Sequence, residues 1–440
     1  MVKSTESTVL LRTTEVLIIG SLGFLLNVLY TRLLTHNLSL ELYGDFTVAM
    51  RSLVLVSQII TFGIGLSAQR FVSRYIKMRQ PRKIQGFITW SLLLLLRTSF
   101  FLAIAYGLFW LTATITHLTE IHRFDQYHLA LFVMIFAPLF SIFTFFVSMI
   151  MASGYVLLST IIGRLLNRVV QIATVLIFFH FFIPKEIYHL SIMLVSILFV
   201  SMTLSIALYI LLPENEIFHI LEQSKKRFID DSWLRVAESA CLNTIMFTLA
   251  FTADLYILEI FSPQENHVGI FSVCEVCVGL LSTLQGAINT QLSTEIMNLD
   301  ILKDKARVQL QRSLDVYNII KLLMVIASAC MSWIFRQEIF SFFNIHETTA
   351  YLLLPIMFVN VYLFDTRYQF SYLVSCKDMD FINRIQATST GMMIIGSLIL
   401  VIPYNMYGIV VATGLSRIFS KTALTLRCRQ FCSMRLNLFA

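Results

Sequence analysis

Charged side chains are scarce in this sequence. Asp, Glu, Lys and Arg make up 13% of its 440 residues, whereas 57% of the residues are hydrophobic and the mean hydropathy is +0.77. A soluble domain would carry roughly a quarter charged residues. The shortage of charge therefore excludes a soluble protein of this length and favours one whose surface faces lipid.

Catalytic motifs are also missing. The sequence has no P-loop, so ATP hydrolysis is not expected, and no loop carries an HExxH, GxSxG or paired-carboxylate motif. Among the seven cysteines, Cys274 and Cys277 form a CxxC inside an apolar helical segment, where small buried side chains are expected rather than a zinc or redox site. We therefore predict a protein that is not an enzyme and that holds no cofactor and no metal.

Long apolar runs are what the sequence does contain. A helical span needs about 20 apolar residues, and twelve runs are predicted to cross a membrane: residues 16–34, 43–66, 86–111, 127–151, 155–182, 189–212, 233–261, 268–292, 316–335, 351–375, 385–402 and 406–426. The first run is too long for a signal peptide and lacks a cleavage site. The predicted fold class is an all-α polytopic membrane protein with an N-terminal six-helix lobe (1–212), a cytoplasmic linker (213–232) and a C-terminal six-helix lobe (233–440).

Lysine and arginine are distributed unevenly along the chain. Most lie at alternate ends of the predicted spans, with Lys321 and Lys421 counted among these ends, while the opposite ends hold only Arg123, Lys185 and Arg336. Because basic residues are retained on the cytoplasmic side, this asymmetry predicts that both termini are cytoplasmic. The net charge of +7 follows from this orientation, so a nucleic-acid partner is not expected.

The two halves of the chain resemble each other. A shift of 225 residues aligns Gly44, Phe46, Val48, Leu55 and Ser57 with Gly269, Phe271, Val273, Leu280 and Ser282. Together with six spans per half, this similarity predicts a parallel repeat, with a transport path between the repeats.

Residues 253–293 carry a line of polar side chains along one predicted helix. Glu275, Ser282, Gln285, Asn289 and Ser293 recur at steps of three, four or seven residues, which places them on one side of an α-helix. A similar line on the second span includes Gln58. Rows of small polar residues also serve as helix-packing seams, but Gln58, Gln285 and Asn289 favour a wet face. We predict that these three residues line a substrate cavity.

Charged residues inside the predicted spans form the second part of the candidate site. The arginines are Arg32, Arg51, Arg97, Arg164, Arg168 and Arg367, and the carboxylates are Asp254, Glu259, Glu275 and Asp365. A charge in hydrocarbon costs at least ~2.5–3.5 kcal/mol, so these groups are expected to face protein or water. The arginine excess predicts a substrate-binding cavity for an anion such as a diphosphate. The carboxylates are predicted to couple transport to an ion, H+ or Na+.

Other roles for these arginines remain open at the sequence level. Arg32, Arg164 and Arg168 are also compatible with snorkelling to the lipid headgroups. Arg367 is compatible with an internal salt bridge to Asp254.

Short motifs in four regions carry a resemblance to a known family. They are residues 42–44 (LYG), 63–72 (GIGLSAQRFV), 253–258 (ADLYIL) with 268–273 (VGIFSV), and 402–413 (IPYNMYGIVVAT), where Val410 and Val411 depart from the usual small pair. With these motifs the chain resembles the polysaccharide transporter, or O-antigen flippase, branch of the multidrug/oligosaccharidyl-lipid/polysaccharide (MOP) exporter superfamily.

The resemblance implies a MATE/MOP-like fold and a function. Members of this branch flip polyprenyl-diphosphate-linked oligosaccharides for O-antigen (lipopolysaccharide), capsule or exopolysaccharide across the bacterial inner membrane by alternating access. It implies a cavity between the two lobes, and membrane lipids, a polysaccharide polymerase and chain-length proteins as partners. Two alternatives stay open: a multidrug cation antiporter of the same superfamily, and a membrane-embedded polysaccharide polymerase or acyltransferase.

Overall fold

Helices make up nearly all of the chain that the structure describes. The structure is a computed structural model and describes residues 2–115, 128–181, 187–211, 232–262, 264–298, 304–375 and 378–432, among which there is no strand. In chain order the helices are α1 (Val2–Asn37), α2 (Leu40–Thr61), α3 (Ile64–Lys77), α4 (Pro81–Ile115), α5 (His128–Met134), α6 (Ala137–Ala152), α7 (Val156–Thr160), a π-helical turn (Ile161–Leu166), α8 (Asn167–Phe181), α9 (Ile187–Leu211), α10 (Ser232–Phe261), α11 (Asn266–Asn298), α12 (Asp304–Ile334), α13 (Arg336–Phe342), a 3-10 turn (Thr348–Ala350), α14 (Leu353–Ser375) and α15 (Met379–Cys432).

The predicted spans fall on these helices, but several spans are interrupted. Among the described residues, eight helices are long and apolar enough to cross a membrane, and the bent pair α2 and α3 makes a ninth. The span predicted at 127–151 is divided into α5 and α6, and α15 contains two predicted spans. The total of twelve spans and the cytoplasmic termini remain predictions.

α15 is a hairpin of two helical arms. Asn405 has φ 49° and ψ −129°, which lie outside the helical region and break the helix. Asp378, just before α15, binds Arg427 near its end, with 2.6 Å between Oδ2 and Nη2, so the two arms run antiparallel. This hydrogen bond from the guanidinium lowers the pKa of the Asp378 carboxyl. The spans predicted at 385–402 and 406–426 are the two arms.

The helices group into two compact units. The discontinuous unit comprises Met1–Gly44 and Ala253–Ala440, and the continuous unit comprises Asp45–Thr252. Their boundaries fall within α2 and α10 rather than in the predicted linker. The division into lobes 1–212 and 233–440 remains a prediction.

In the discontinuous unit, α2 and α11 approach closely at two glycines. A Cβ added to Gly44 would lie 3.1 Å from the backbone N of Gly269, and a Cβ added to Gly269 would overlap the carbonyl O of Leu40. Only hydrogen fits at this crossing, as in close helix contacts of membrane proteins. The two glycines are the pair that the 225-residue shift aligns, so equivalent positions of the two halves pack against each other.

Aromatic side chains hold α10 in the continuous unit. Trp233 is fully buried, its Nε1 donates to the Tyr75 hydroxyl at 2.9 Å, and its ring packs edge-on to Phe87 with 5.4 Å between centroids. The contacts join α3, α4 and α10. Because a buried indole N–H needs an acceptor, the Tyr75 hydroxyl is specifically required.

We expect Tyr75→Phe to lower the free energy of unfolding by about 1–3 kcal/mol, because it removes the hydroxyl that accepts a hydrogen bond from the buried Trp233 N–H. Chemical unfolding of the purified protein in detergent micelles measures this change. The control is Tyr404→Phe, since Tyr404 is 61% exposed and its loss of a hydroxyl should change stability by less than about 0.5 kcal/mol. Equal stability of the two variants would contradict the assigned role of Tyr75.

Candidate functional site

Six buried or half-buried charged side chains lie on one group of helices inside the discontinuous unit. α14 packs against α11, α12 and α15, and these helices with the end of α10 supply the six groups. We call this set the buried charge cluster: Asp254, Glu275, Lys321, Asp365, Arg417 and Lys421. Its three acids and three bases balance, which lowers the cost of burying them.

Arg417 is the hub of the buried charge cluster. Its guanidinium interacts electrostatically with Asp254, Glu275 and Asp365. Nη1 donates to the Asn360 carbonyl at 2.9 Å, and the guanidinium carbon lies 5.2 Å from the centre of the Phe364 ring. One cation therefore interacts electrostatically with three carboxylates from three helices.

Lys321 supplies the second positive charge. It has no exposed surface, its Nζ donates to Asn289 Oδ1 at 2.5 Å, and it interacts electrostatically with Asp365. Asp365 is 3% exposed, and its Oδ2 accepts no hydrogen bond from a described residue. The Lys321 ammonium thus compensates the negative charge of the buried Asp365 carboxylate. The Oδ2 atom of Asp365 can still accept a hydrogen bond.

Neutral polar groups complete the surroundings of the cluster. The Thr413 hydroxyl donates to Asp254 Oδ2 at 3.2 Å, and Lys421 Nζ lies 5.0 Å from the centre of the Tyr362 ring. Gln285 is fully buried, and neither its amide N nor its amide O has a hydrogen-bond partner among the described residues. Buried amides are normally satisfied, so Gln285 offers a donor and an acceptor to a bound species or water.

Sequence reasoning identified the acids of the cluster but not its bases. Arg417 was absent from the predicted site, and Lys321 and Lys421 were assigned to cytoplasmic helix ends, where exposure is expected; both lysines are instead buried. A signal was present. Thr413, Arg417 and Lys421 follow one another at four-residue steps inside the last predicted span, which places them on one helix face.

Four of the predicted arginines lie in the continuous unit. Arg51 is half-buried, and its Nη1 donates to the Phe251 carbonyl at 3.3 Å. Arg168 Nη1 donates to Gln171 Oε1 at 2.6 Å. Arg97 and Arg164 are exposed and have no hydrogen bond or ion pair to a described residue. These last two guanidinium groups keep their full donor capacity for an anion.

Arg32 and Glu259 have partners outside the cluster. Arg32 is exposed at the end of α1 and stacks 4.3 Å above the centre of the Phe342 ring. Glu259 interacts electrostatically with Glu41 and Glu265 rather than with a base. The side chain of Arg367 lies outside the described residues, and so does its predicted salt bridge to Asp254.

The two units differ in charge. The sequence of the continuous unit has ten acids and sixteen basic residues, and two of the acids and eleven of the basic residues lie in its described part. The described basic residues are Arg51, Arg70, Arg74, Lys77, Arg79, Arg82, Lys83, Arg97, Arg164, Arg168 and Arg235. Those between 70 and 83 and Arg235 fit the distribution that orients membrane proteins. The others, Arg51, Arg97, Arg164 and Arg168, lie well inside candidate spans, where orientation does not require them.

Comparison with known proteins identifies the fold. No protein-family model matches the sequence, and no curated protein matches it. The inward-facing conformation of a multidrug resistance MATE family transporter of the MOP superfamily matches with a TM-score of 0.68 and 13% identity, covering 96% of this chain and all of that one. This chain has the MATE fold. An outward-facing conformation of such a transporter matches with a TM-score of 0.63 and 12% identity, covering 96% and 95% of the two chains.

A third structure with the MATE fold is a MOP superfamily transporter from Pyrococcus furiosus. It matches with a TM-score of 0.58 and 12% identity over 94% of this chain and 95% of that one, and the reverse polarity of its binding pocket suggests a different function for that protein. Each of these three structures is of a transporter. Eight or nine candidate spans and the MATE fold together make this chain a multi-pass membrane protein. The predicted MATE/MOP-like fold is confirmed, whereas membership of the MOP superfamily and of its flippase branch remains a prediction.

Proposed function

We propose that this protein is a flippase that carries a polyprenyl-diphosphate-linked oligosaccharide, the repeat unit of O-antigen, capsule or exopolysaccharide, across the bacterial inner membrane. The MATE fold supports transport by alternating access, because solved MATE transporters adopt both inward-facing and outward-facing conformations. The polyprenyl tail stays in the lipid, and the diphosphate and sugars cross through the protein.

The single observation that carries the substrate class is the basic excess of the continuous unit. Arg51, Arg97, Arg164 and Arg168 lie inside candidate spans, and the two spans that hold the last three contain no acid. Guanidinium groups bind phosphate oxygens in bidentate geometry and stay charged at every physiological pH. Arg97 and Arg164, which have no partner among the described residues, are the proposed diphosphate contacts.

The buried charge cluster is proposed to couple transport to an ion. Asp254, Glu275 and Asp365 face Arg417, while Glu259 interacts with two other carboxylates. A proton, or a sodium ion, that binds one carboxylate weakens its attraction to Arg417 or Lys321 and changes how strongly α10, α11, α14 and α15 hold together. An ion shifts a conformational equilibrium when it binds one conformation more tightly than the other, and a contact that changes on ion binding provides this difference.

A multidrug cation antiporter is the second candidate. It is favoured by the multidrug resistance transporters of the same fold and by the unused Oδ2 of Asp365. An organic cation at Asp365 would compete with Lys321 and Arg417, which already compensate that carboxylate. The balance therefore supports an anionic substrate over a cationic one.

Reconstitution tests the proposed function. Purified protein in liposomes should speed the flipping of a fluorescent polyprenyl-diphosphate oligosaccharide at least about tenfold over protein-free liposomes, as read by quenching of the outer leaflet. We expect Arg97→Gln/Arg164→Gln to lose about tenfold of this rate, because each lost charge-assisted contact is worth about 1.5–3 kcal/mol before compensation by other groups. The matched control, Arg97→Lys/Arg164→Lys, keeps the charge and should retain most of the rate.

Two outcomes contradict the proposal. Flipping no faster than in empty liposomes, together with proton-driven export of ethidium, would assign the protein to the multidrug class. Unchanged flipping in the glutamine double variant would mean that Arg97 and Arg164 serve only lipid headgroups. Sensitivity of the wild-type rate to a proton or sodium gradient tests the coupling role separately.

A further inference from the structure

A break in the second predicted span opens a space in the continuous unit. α2 ends at Thr61 and α3 begins at Ile64, and their axes differ by 48°. Between them Phe62 and Gly63 have φ values of 46° and 71°, in the left-handed region. A helix that bends this sharply leaves a gap on one side of the bend, where side chains from neighbouring helices face the turn.

A cavity of about 170 Å³ lies beside this break. α2 and α3 form one wall, α6 forms the second, and Thr244 of α10 closes it. Its neutral polar side chains are Gln58, Thr61, Gln69, Thr144, Ser148 and Thr244. None of its lining residues is charged. A water molecule occupies about 30 Å³ in the liquid, so the space is several times larger than one water or one bare ion requires.

Three hydroxyl groups of the cavity already donate hydrogen bonds, but their oxygen atoms can still accept them. Thr144, Ser148 and Thr244 each donate to a carbonyl of their own helix, at 2.8–2.9 Å. Each hydroxyl oxygen therefore keeps a lone pair for an incoming O–H or N–H group. A ligand that suits these walls must bring several donors of its own.

The carboxamides supply the complementary donors. No hydrogen bond joins the Gln58 side chain to a described residue, so its amide keeps both N–H groups and its oxygen for a ligand. Gln69 Nε2 contacts only the Met151 sulfur, at 3.4 Å, which is a weak acceptor. Phe145 adds an apolar wall. The combination of amides, hydroxyl acceptors and one ring matches a compact neutral molecule rich in hydroxyl groups.

We propose that this cavity binds one neutral sugar ring of the transported oligosaccharide, with Gln58 as its main hydrogen-bonding residue. The inference rests on the proposed function for the identity of the oligosaccharide, but it assigns a separate subsite. Arg97 and Arg164 hold the diphosphate, and the cavity, which has no charged lining residue, holds the sugar ring. A charged sugar would lose its hydration here without gaining a counter-ion.

Ligand binding by the purified full-length protein in micelles tests the subsite directly. Saturation-transfer NMR with glucose, galactose, rhamnose and N-acetylglucosamine should show saturable binding of at least one neutral ring. Glucuronate and protonated glucosamine should bind at least about fivefold more weakly. Gln58→Leu should weaken binding of the preferred sugar about fivefold, and adding Thr144→Val should abolish the signal, because each removes one hydrogen bond from a desolvated site.

Thr174→Val is the matched control. The Thr174 hydroxyl also donates to its own helix, to the Val170 carbonyl at 2.8 Å, but it lies outside the cavity, so this variant should bind sugar as the wild type does. Size-exclusion elution of all variants checks folding, and Thr244→Val replaces any variant that fails this check. Absence of sugar binding in the wild type, undiminished binding by Gln58→Leu, or displacement of the sugar by sodium ions would each overturn the inference.

The same preparations separate this inference from the proposed function. Lipid-linked oligosaccharide that flips normally while no free sugar binds would remove the subsite and leave the flippase. Sugar binding that depends on Gln58 in a protein that flips no lipid-linked oligosaccharide would remove the flippase and leave the subsite.

Discussion

Replacing Lys321 with methionine is expected to destabilise the protein by about 3 kcal/mol, the lower end of the usual loss when a buried charge loses a partner, because Arg417 still compensates Asp365. Lys321 has no exposed surface, and its ammonium compensates Asp365 and binds Asn289. Methionine keeps the length and apolar character of the side chain, so the loss reports charge and hydrogen bonding rather than a cavity. Chemical unfolding in micelles gives the free energy.

A double variant separates charge compensation from packing. Lys321→Met/Asp365→Leu removes both charges, and well-packed apolar pairs are often as stable as the ion pairs they replace. We expect the double variant to recover at least half of the stability lost by Lys321→Met, which corresponds to a coupling energy above about 1 kcal/mol. Additive losses would show that Lys321 and Asp365 act independently and would contradict the cluster as a unit.

Replacing Gly63 with alanine is expected to have the other large effect, a loss of at least about 3 kcal/mol or failure to accumulate in the membrane. Gly63 has φ +71°, where an L side chain is strained by about 1–3 kcal/mol. Its added Cβ would also overlap the Ala237 carbonyl O and lie 2.6 Å from the backbone N of Cys241. Both neighbours are backbone atoms of α10, which cannot rotate away.

Gly107→Ala is the control for this substitution. Gly107 lies within α4, and a Cβ added there meets nothing within 4 Å. Alanine should therefore leave stability unchanged or raise it by about 0.5–1 kcal/mol, the usual gain in a helix interior. Membrane yield, size-exclusion elution and chemical unfolding compare the two variants. A Gly63→Ala protein as stable as Gly107→Ala would show that the α2 and α3 break is not fixed by contact with α10.

Helix positions were predictable from sequence because apolar runs are local. Every predicted span falls on one or more helices, and Pro403 with Asn405 correctly marked the turn inside α15. The break at Phe62 and Gly63 was not predicted. Residues 43–66 form one apolar run in the sequence, without a signal for a break. The left-handed turn depends on the close approach of α10, which lies far away in the sequence.

Members of the candidate site could be predicted only where the residue type itself stands out in the sequence. A carboxylate inside an apolar run is conspicuous anywhere, so Asp254, Glu275 and Asp365 were found. Lys321 lies only five residues inside a predicted span, where a flexible lysine normally reaches water. The burial of Lys321 depends on how α11, α12 and α14 pack, which cannot be predicted from the sequence around Lys321. The interaction of Arg417 with three acids likewise depends on tertiary structure.

The crossing of α2 and α11 constrains both halves of the chain. Gly44 and Gly269 are counterparts in the two halves; a side chain on Gly44 would meet the backbone of Gly269, and a side chain on Gly269 would meet the carbonyl O of Leu40. A larger residue at either position would therefore push the two helices apart.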